Sequence, residues 1–249
     1  EIVAIAFERW TQGRIVPTLG TNFGASQLPF QNWRNFKEAF APELVARAIA
    51  ESEQGVARCL DPFGGSGTTA LACQLLGVTP ITIEVNPYLA DLIEVKLIAF
   101  DVPNLLRDFT DLVHCVKSRQ VEFDLSHLPR TFVPPGIADR WIFSLAVGQR
   151  LEGYRRAIDA LSSHSHRMFF RVILGGLVID VSNVIVSGKG RRYRSNWKMR
   201  EILPESVDQQ FKVRVERALR ELSAHSFRPT MEYAVHRGDC RKMLPELQS

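Results

Sequence analysis

The chain has 249 residues, 45% of them apolar and 23% charged, the balance of an ordinary globular protein with room for one large domain or two modest ones. No apolar run is long enough to cross a bilayer and no signal-peptide pattern opens the chain, so a cytoplasmic protein is expected. The four cysteines (Cys59, Cys73, Cys115, Cys240) stand far apart with no metal-ligand spacing, which excludes a disulfide framework and any expected metal site; the net charge of +4 permits a polyanionic partner without requiring one.

Residues 1–30 carry little regular pattern and are punctuated by Gly13, Pro17, Gly20, Gly24 and Pro29. A helix is predicted after Pro42, with Leu44, Val45, Ala48 and Ile49 on one face. A strand at Val56–Leu60, a glycine turn, a helix from Thr68 to Leu76 closed by Gly77, and a strand at Ile81–Glu84 follow. Asn86 then caps a helix whose first residue is Pro87. Strand–helix–strand–helix is the grammar of a doubly wound parallel sheet, and the fold class expected is α/β.

Between 101 and 229 strand signals are sparse. Residues 145–161, 167–186 and 205–224 read as helical, with residues 167–180 the core helix, so this region is expected to be a mostly helical insertion. A strand (Tyr233–His236), a Gly-Asp turn and a short helix then return to the sheet. The expected division is 1–100, 101–229 and 230–249. Beginning at Glu1 and stopping at Ser249, the chain reads as part of a longer protein.

The turn Asp61-Pro62-Phe63-Gly64-Gly65-Ser66-Gly67-Thr68-Thr69 admits several ligands. A P-loop needs a lysine that is not there. Residues 65–70 fit the dinucleotide pattern G-x-G-x-x-A, and Glu84 lies where a ribose-binding acid belongs. Asp61 discriminates between these readings. At the end of the first strand it would repel a pyrophosphate at short range, yet attract a ligand bearing an ammonium group. S-adenosylmethionine carries an ammonium and a sulfonium and no phosphate, with Glu84 left to accept hydrogen bonds from its ribose. A bare tight turn is the remaining reading, and it leaves both acids without a role.

DPFGGSGTT resembles the cofactor motif of the DNA amino-methyltransferases, and EVNP (Glu84–Pro87) the acidic loop that follows it. The resemblance implies a class I methyltransferase (Rossmann-like) fold, S-adenosylmethionine as cofactor, and methylation of an exocyclic amino group of adenine or cytosine in double-stranded DNA, as in restriction–modification systems. It places Asp61 to Thr69, Glu84 and Asn86 around the cofactor. Asn35–Val45 is similar to the family's segment before the motif, with Phe40 covering the methionine end; a core aromatic is the rival reading for Phe40. His236–Leu247 is similar to its next cofactor segment, with Asp239 facing the adenine amino group; a helix-capping aspartate is the rival reading. Enzymes acting on RNA amino groups have a similar turn, and a non-catalytic cofactor- and nucleic-acid-binding subunit is a third possibility.

Val186–Arg200 combines Lys189, Arg191, Arg192, Arg194, Lys198 and Arg200 with Tyr193 and Trp197 and no acid. Its glycines suggest a loop, and the combination suits phosphate contacts with aromatic stacking; Ser182 and Asn183 are candidates to join it. His164 and His166 read as solvated loop residues. The family also carries an Asp/Asn/Ser-Pro-Pro-aromatic tetrapeptide that aims the target amino group and stacks on a flipped base. The one Pro-Pro here, Pro134-Pro135, is flanked by Val133 and Gly136 and reads as a rigid linker. The catalytic residues are thus unassigned and are expected on a further segment or a second chain.

Overall fold

The computed structural model describes residues 2–22, 24–34, 36, 39–118, 122–187 and 190–247. In chain order the elements are α1 (Ile2–Thr11), α2 (Glu43–Ala50), β1 (Arg58–Asp61), α3 (Thr68–Leu75), β2 (Thr79–Glu84), α4 (Pro87–Leu97), α5 (Val102–Ser118), α6 (Leu145–Asp159), α7 (His164–Leu177), β3 (Val184–Ser187), β4 (Gly190–Tyr193), α8 (Pro204–Ala224), β5 (Ala234–Arg237) and α9 (Cys240–Leu247). They fall into two compact units, Glu1–Asp101 with Ala218–Ser249, and Val102–Arg217.

The first unit is a mixed α/β layer built on a parallel sheet in the order β1–β2–β5. Leu60 lies opposite Ile81, and Ile83 opposite His236. β2 is central, and Thr82, Ile83 and Glu84 are buried there. Helix α3 is apolar nearly all round, with Ala70, Leu71, Ala72, Cys73 and Leu75 buried, as expected of a helix enclosed by neighbours. Ala70 of α3 meets Ile93 and Leu97 of α4, and Tyr233 and Val235 pack on that cluster. Because the strands are parallel, their carboxyl ends share one rim.

The expected strands shift by a residue or two. The start of α4 is as read: Asn86 Oδ1 accepts from the N–H groups of Tyr88 and Leu89, with Pro87 behind it. Two readings are corrected. The amino-terminal segment is not without pattern, since α1 buries Ala6, Phe7, Trp10 and Thr11 along one face. The punctuating glycines and prolines begin only at Gly13 and conceal that stripe. In α2, Val45 is buried and Leu44 and Ala48 are exposed, so the stripe facing the core is narrower than the apolar run.

In the second unit, α5 buries Leu105, Phe109, Leu112 and Val116 on one helical face. The rings of Phe109, Phe170 and Phe211 contact one another, and Tyr154 meets Phe211 edge-on at 4.9 Å between centroids. Asp208 accepts from Arg150 (2.6 Å) and from the Tyr154 hydroxyl (2.9 Å). The single helix expected across 167–186 is corrected: α7 stops at Leu177, and after a turn Val184–Ser187 forms a strand. His164 and His166 are not loop residues but open α7, where the Ser163 hydroxyl accepts from the His166 N–H. The His166 ring is largely buried, with Nδ1 2.6 Å from Asp108 Oδ2. No helix among the described residues is long and apolar enough to cross a membrane.

Candidate functional site

β1 delivers Asp61 to the rim and the chain turns at once. Asp61 Oδ1 accepts from the Phe63 N–H at 2.9 Å, the short-range bond that makes aspartate a turn former. Gly64 donates to the Ile83 carbonyl at 3.0 Å, which draws the turn onto β2. A methyl group on Gly64 would lie 2.3 Å from Thr82 Cγ2 and 2.7 Å from Ile93 Cδ1, so only glycine fits. Gly67 has φ of 80° and caps α3, a left-handed conformation natural to glycine. The Ser66 and Thr68 hydroxyls lie 3.2 Å apart and are buried. Pro62 and Thr69 are partly buried, whereas Phe63 is 77% exposed.

Glu84 ends β2 with its carboxylate pinned inside this turn. Oε2 accepts from the Gly65 N–H at 2.7 Å and Oε1 from the Asn86 N–H at 2.8 Å, while its own carbonyl accepts from Gly238 at 3.0 Å. The side chain is almost buried, yet each oxygen keeps one more acceptor position. Val85, directly after it, is 71% exposed.

Asp239 follows β5 on the same rim. Its carbonyl accepts from Lys242 and Met243, and its carboxylate accepts from the Arg241 backbone and guanidinium. Arg241 holds the Asp239 carboxyl down at about 2. Asp239 thus caps α9, and any second partner has to share it with Arg241. Phe40 is half-buried. The Phe36 ring lies against the turn: a methyl on Gly65 would stand 3.4 Å from its Cε1. Phe36 occupies the same expected covering segment, and nothing in the spacing of its phenylalanines distinguishes the two.

The first part of the basic stretch is not a loop: β3 and β4 pair antiparallel, with Val184 opposite Tyr193 and Val186 opposite Arg191. Lys189 lies outside the described residues. Arg191 and Arg192 are exposed on β4. Tyr193 and Trp197 are 5.0 Å apart, and Trp141 packs on Trp197. Lys198 pairs with Asp139. Arg194 is spent internally, donating to the carbonyls of Ser182 and Ile179, and Arg200 to those of Ser182 and Asp180. Ser182 and Asn183 are buried and bonded to backbone carbonyls, so they brace the base of these strands instead of extending their surface. No cluster of metal-ligating side chains occurs among the described residues.

Residues 12–95, the stretch containing the turn, Glu84 and most of α4, match the family described as DNA methylase. Among curated proteins, Type II methyltransferase M.AvaI of a Nostoc species is 42% identical over 71 residues, covering 28% of this chain and 15% of that protein. Type II methyltransferase M.BsoBI of Geobacillus stearothermophilus is 33% identical over 105 residues, 40% of this chain and 20% of the relative. For Type II methyltransferase M.MjaII of Methanocaldococcus jannaschii the figures are 32% over 82 residues, 33% and 16%. The aligned stretch is therefore at most a fifth of the length of these relatives. No solved structure matches the chain significantly.

Proposed function

We propose that the first unit is the cofactor half of a class I, doubly wound methyltransferase sheet that binds S-adenosylmethionine. The chain serves methyl transfer to an exocyclic amino group of adenine or cytosine in double-stranded DNA, in a restriction–modification system. The observation that carries this reading is the pair of acids, Asp61 and Glu84, at the carboxyl ends of adjacent parallel strands on either side of a glycine turn. Such a rim repels pyrophosphate and suits a cationic ligand with a diol.

Each residue then has a role. Asp61 Oδ1 is held by Phe63, leaving Oδ2 to meet the ammonium group. The two remaining acceptor positions of Glu84 receive the ribose hydroxyls. Phe63 and Val85 offer bare apolar surface to the adenine ring. Phe36, with Phe40 further along, covers the turn, and Asp239 takes the adenine amino group while retaining Arg241. S-adenosylmethionine, when bound, supplies an electrophilic methyl carbon; the protein contributes orientation, which is most of what an in-line transfer requires. Pro134-Pro135 belongs to the second unit, ahead of the turn that the Ile137–Arg140 bridge closes, and is read as a rigid linker and not as the group that aims the acceptor.

The helical insertion expected over 101–229 contains the whole second unit, Val102–Arg217, and its paired strands are read as contacting DNA. A two-stranded ribbon fits a major groove, and the exposed Arg191 and Arg192 provide cations for phosphates or guanine edges. Calorimetric titration with S-adenosylmethionine tests the site. The wild-type chain is expected to bind, and Asp61→Ala to bind at least about tenfold more weakly, the usual worth of a charge-assisted bond. Unchanged affinity in the variant refutes this account of the turn. Transfer of a tritiated methyl group to DNA by the longest natural form of the protein, followed by nucleoside analysis, identifies the base.

A further inference from the structure

A lysine in the last turn of a helix ordinarily reaches into solvent and complements the helix dipole. Lys96 occupies that position in α4 and is 1% exposed. Its Nζ donates to the Ser66 carbonyl at 2.6 Å and to Gln31 Oε1 at 3.4 Å. Ser66 stands between the two left-handed glycines of the turn, Gly65 and Gly67. One ammonium group therefore grips the turn from beneath and joins it to the segment before α2.

The surroundings are built for a cation. Glu221 of α8 faces the same interior, and its carboxylate accepts from the Phe30 N–H (2.7 Å) and the Trp33 indole (2.8 Å). Arg228 donates to the carbonyls of Lys96 and Ile98 and lies over the Phe30 ring. His225 meets the Phe30 ring edge-on. On α4 itself, Asp91 and Glu94 are engaged by Arg237. Gln31 turns its oxygen to Lys96 although its buried Nε2 then finds no partner among the described residues. That orientation is favourable while the lysine is charged; beside a neutral amine, the amide gains by turning over to donate. Burial pushes the Lys96 ammonium down to about 7, against the pull of Glu221.

We propose that Lys96 is a positioning residue for the methyl-donor turn: clamped between the Ser66 carbonyl and Gln31, it fixes the Gly65–Gly67 backbone in the conformation that receives the cofactor. The inference rests on the cofactor reading above and adds a brace that the turn's own residues do not supply. Removing the ammonium weakens cofactor binding without touching a group that contacts the cofactor. The brace is strongest below neutrality and slackens as the pH rises through the lysine's folded value.

Two measurements on wild type, Lys96→Met and Gln31→Leu separate the possibilities. The first is S-adenosylmethionine affinity from pH 6 to pH 9; the ligand's own amine titrates alike in all three proteins. Lys96→Met is expected to bind about tenfold more weakly at pH 6, within the usual range for coupling between two sites, and the gap to wild type is expected to close above neutrality. Gln31→Leu is expected to weaken binding in the same direction by less, and it serves alone should Lys96→Met fail to fold. The second is the pH dependence of the Gly65 and Gly67 amide resonances without ligand. They are expected to move around pH 7 in wild type, and to lose that inflection in Lys96→Met or shift its midpoint in Gln31→Leu. Failure of wild type to bind the cofactor at any pH overturns the cofactor reading alone. Resonances and affinities that behave as wild type in the folded variants overturn the role of Lys96.

Discussion

Replacing Glu84 with glutamine removes one oxygen and little else. The carboxylate accepts two backbone N–H groups from different sides, Gly65 at 2.7 Å and Asn86 at 2.8 Å. Glutamine has a single acceptor oxygen, so one of those N–H groups ends facing an NH2. Losing a charge-assisted bond costs about 1.5–3 kcal/mol, and reducing the other to a neutral bond costs about 0.5–1 kcal/mol more. The expected destabilisation is therefore about 2–4 kcal/mol, and the melting temperature should fall by roughly 4–16 °C for a chain of this size. Circular dichroism melts and guanidinium unfolding measure it. Glu94→Gln is the control, since Glu94 pairs with Arg237 at the surface and such pairs contribute about 0–1 kcal/mol. Calorimetry should also show loss of S-adenosylmethionine affinity in Glu84→Gln only. If the two variants melt alike, Glu84 does not organise the turn, and the reasoning from its geometry fails.

The paired strands give a second prediction. Arg191→Ala with Arg192→Ala should lower DNA affinity and flatten the slope of log K against log salt by about 1 for each phosphate no longer neutralised, whereas Arg194→Ala should reduce stability because its bonds are internal. Equal salt slopes in wild type and the double variant would remove these strands from the DNA interface. A third concerns Glu152 of α6, whose carboxyl is held at about 2, chiefly by Arg155 and then by Arg156, against an ordinary value of 4.5. Its folded-state value lies below the unfolded one, so its stabilisation is complete above about pH 4.5 and lost as the pH falls toward 2. Urea titrations of wild type and Glu152→Gln should show a stability gap that closes over that window; a gap independent of pH would contradict it.

Much of the first unit was legible because its signals are local. Asn86-Pro87 states where α4 begins, and Gly64, Gly65 and Gly67 state where the chain must turn. The basic strand pair was not legible: glycines that mark a loop equally flank paired strands, and β-branched Val184 and Val186 continue an apolar run that reads as helix. Lys96 carries no local sign at all. In sequence it is a cation near a helix end, and only the arrival of Gln31, Glu221 and Arg228 from distant parts of the chain makes it interior. His166 was misjudged in the same way, since its partner Asp108 lies on another helix.

The register of the parallel sheet also bears on how the chain folds. Ile81 lies alongside Ala234, so β2 waits for its second neighbour until the whole of α5 to α8 has been synthesised. Closing so long a loop is entropically expensive, and sheets of this kind assemble slowly. During translation the turn and α4 emerge with one flank of β2 uncovered. A slow refolding phase, abolished by truncation before Ala234, is the kinetic trace this topology should leave.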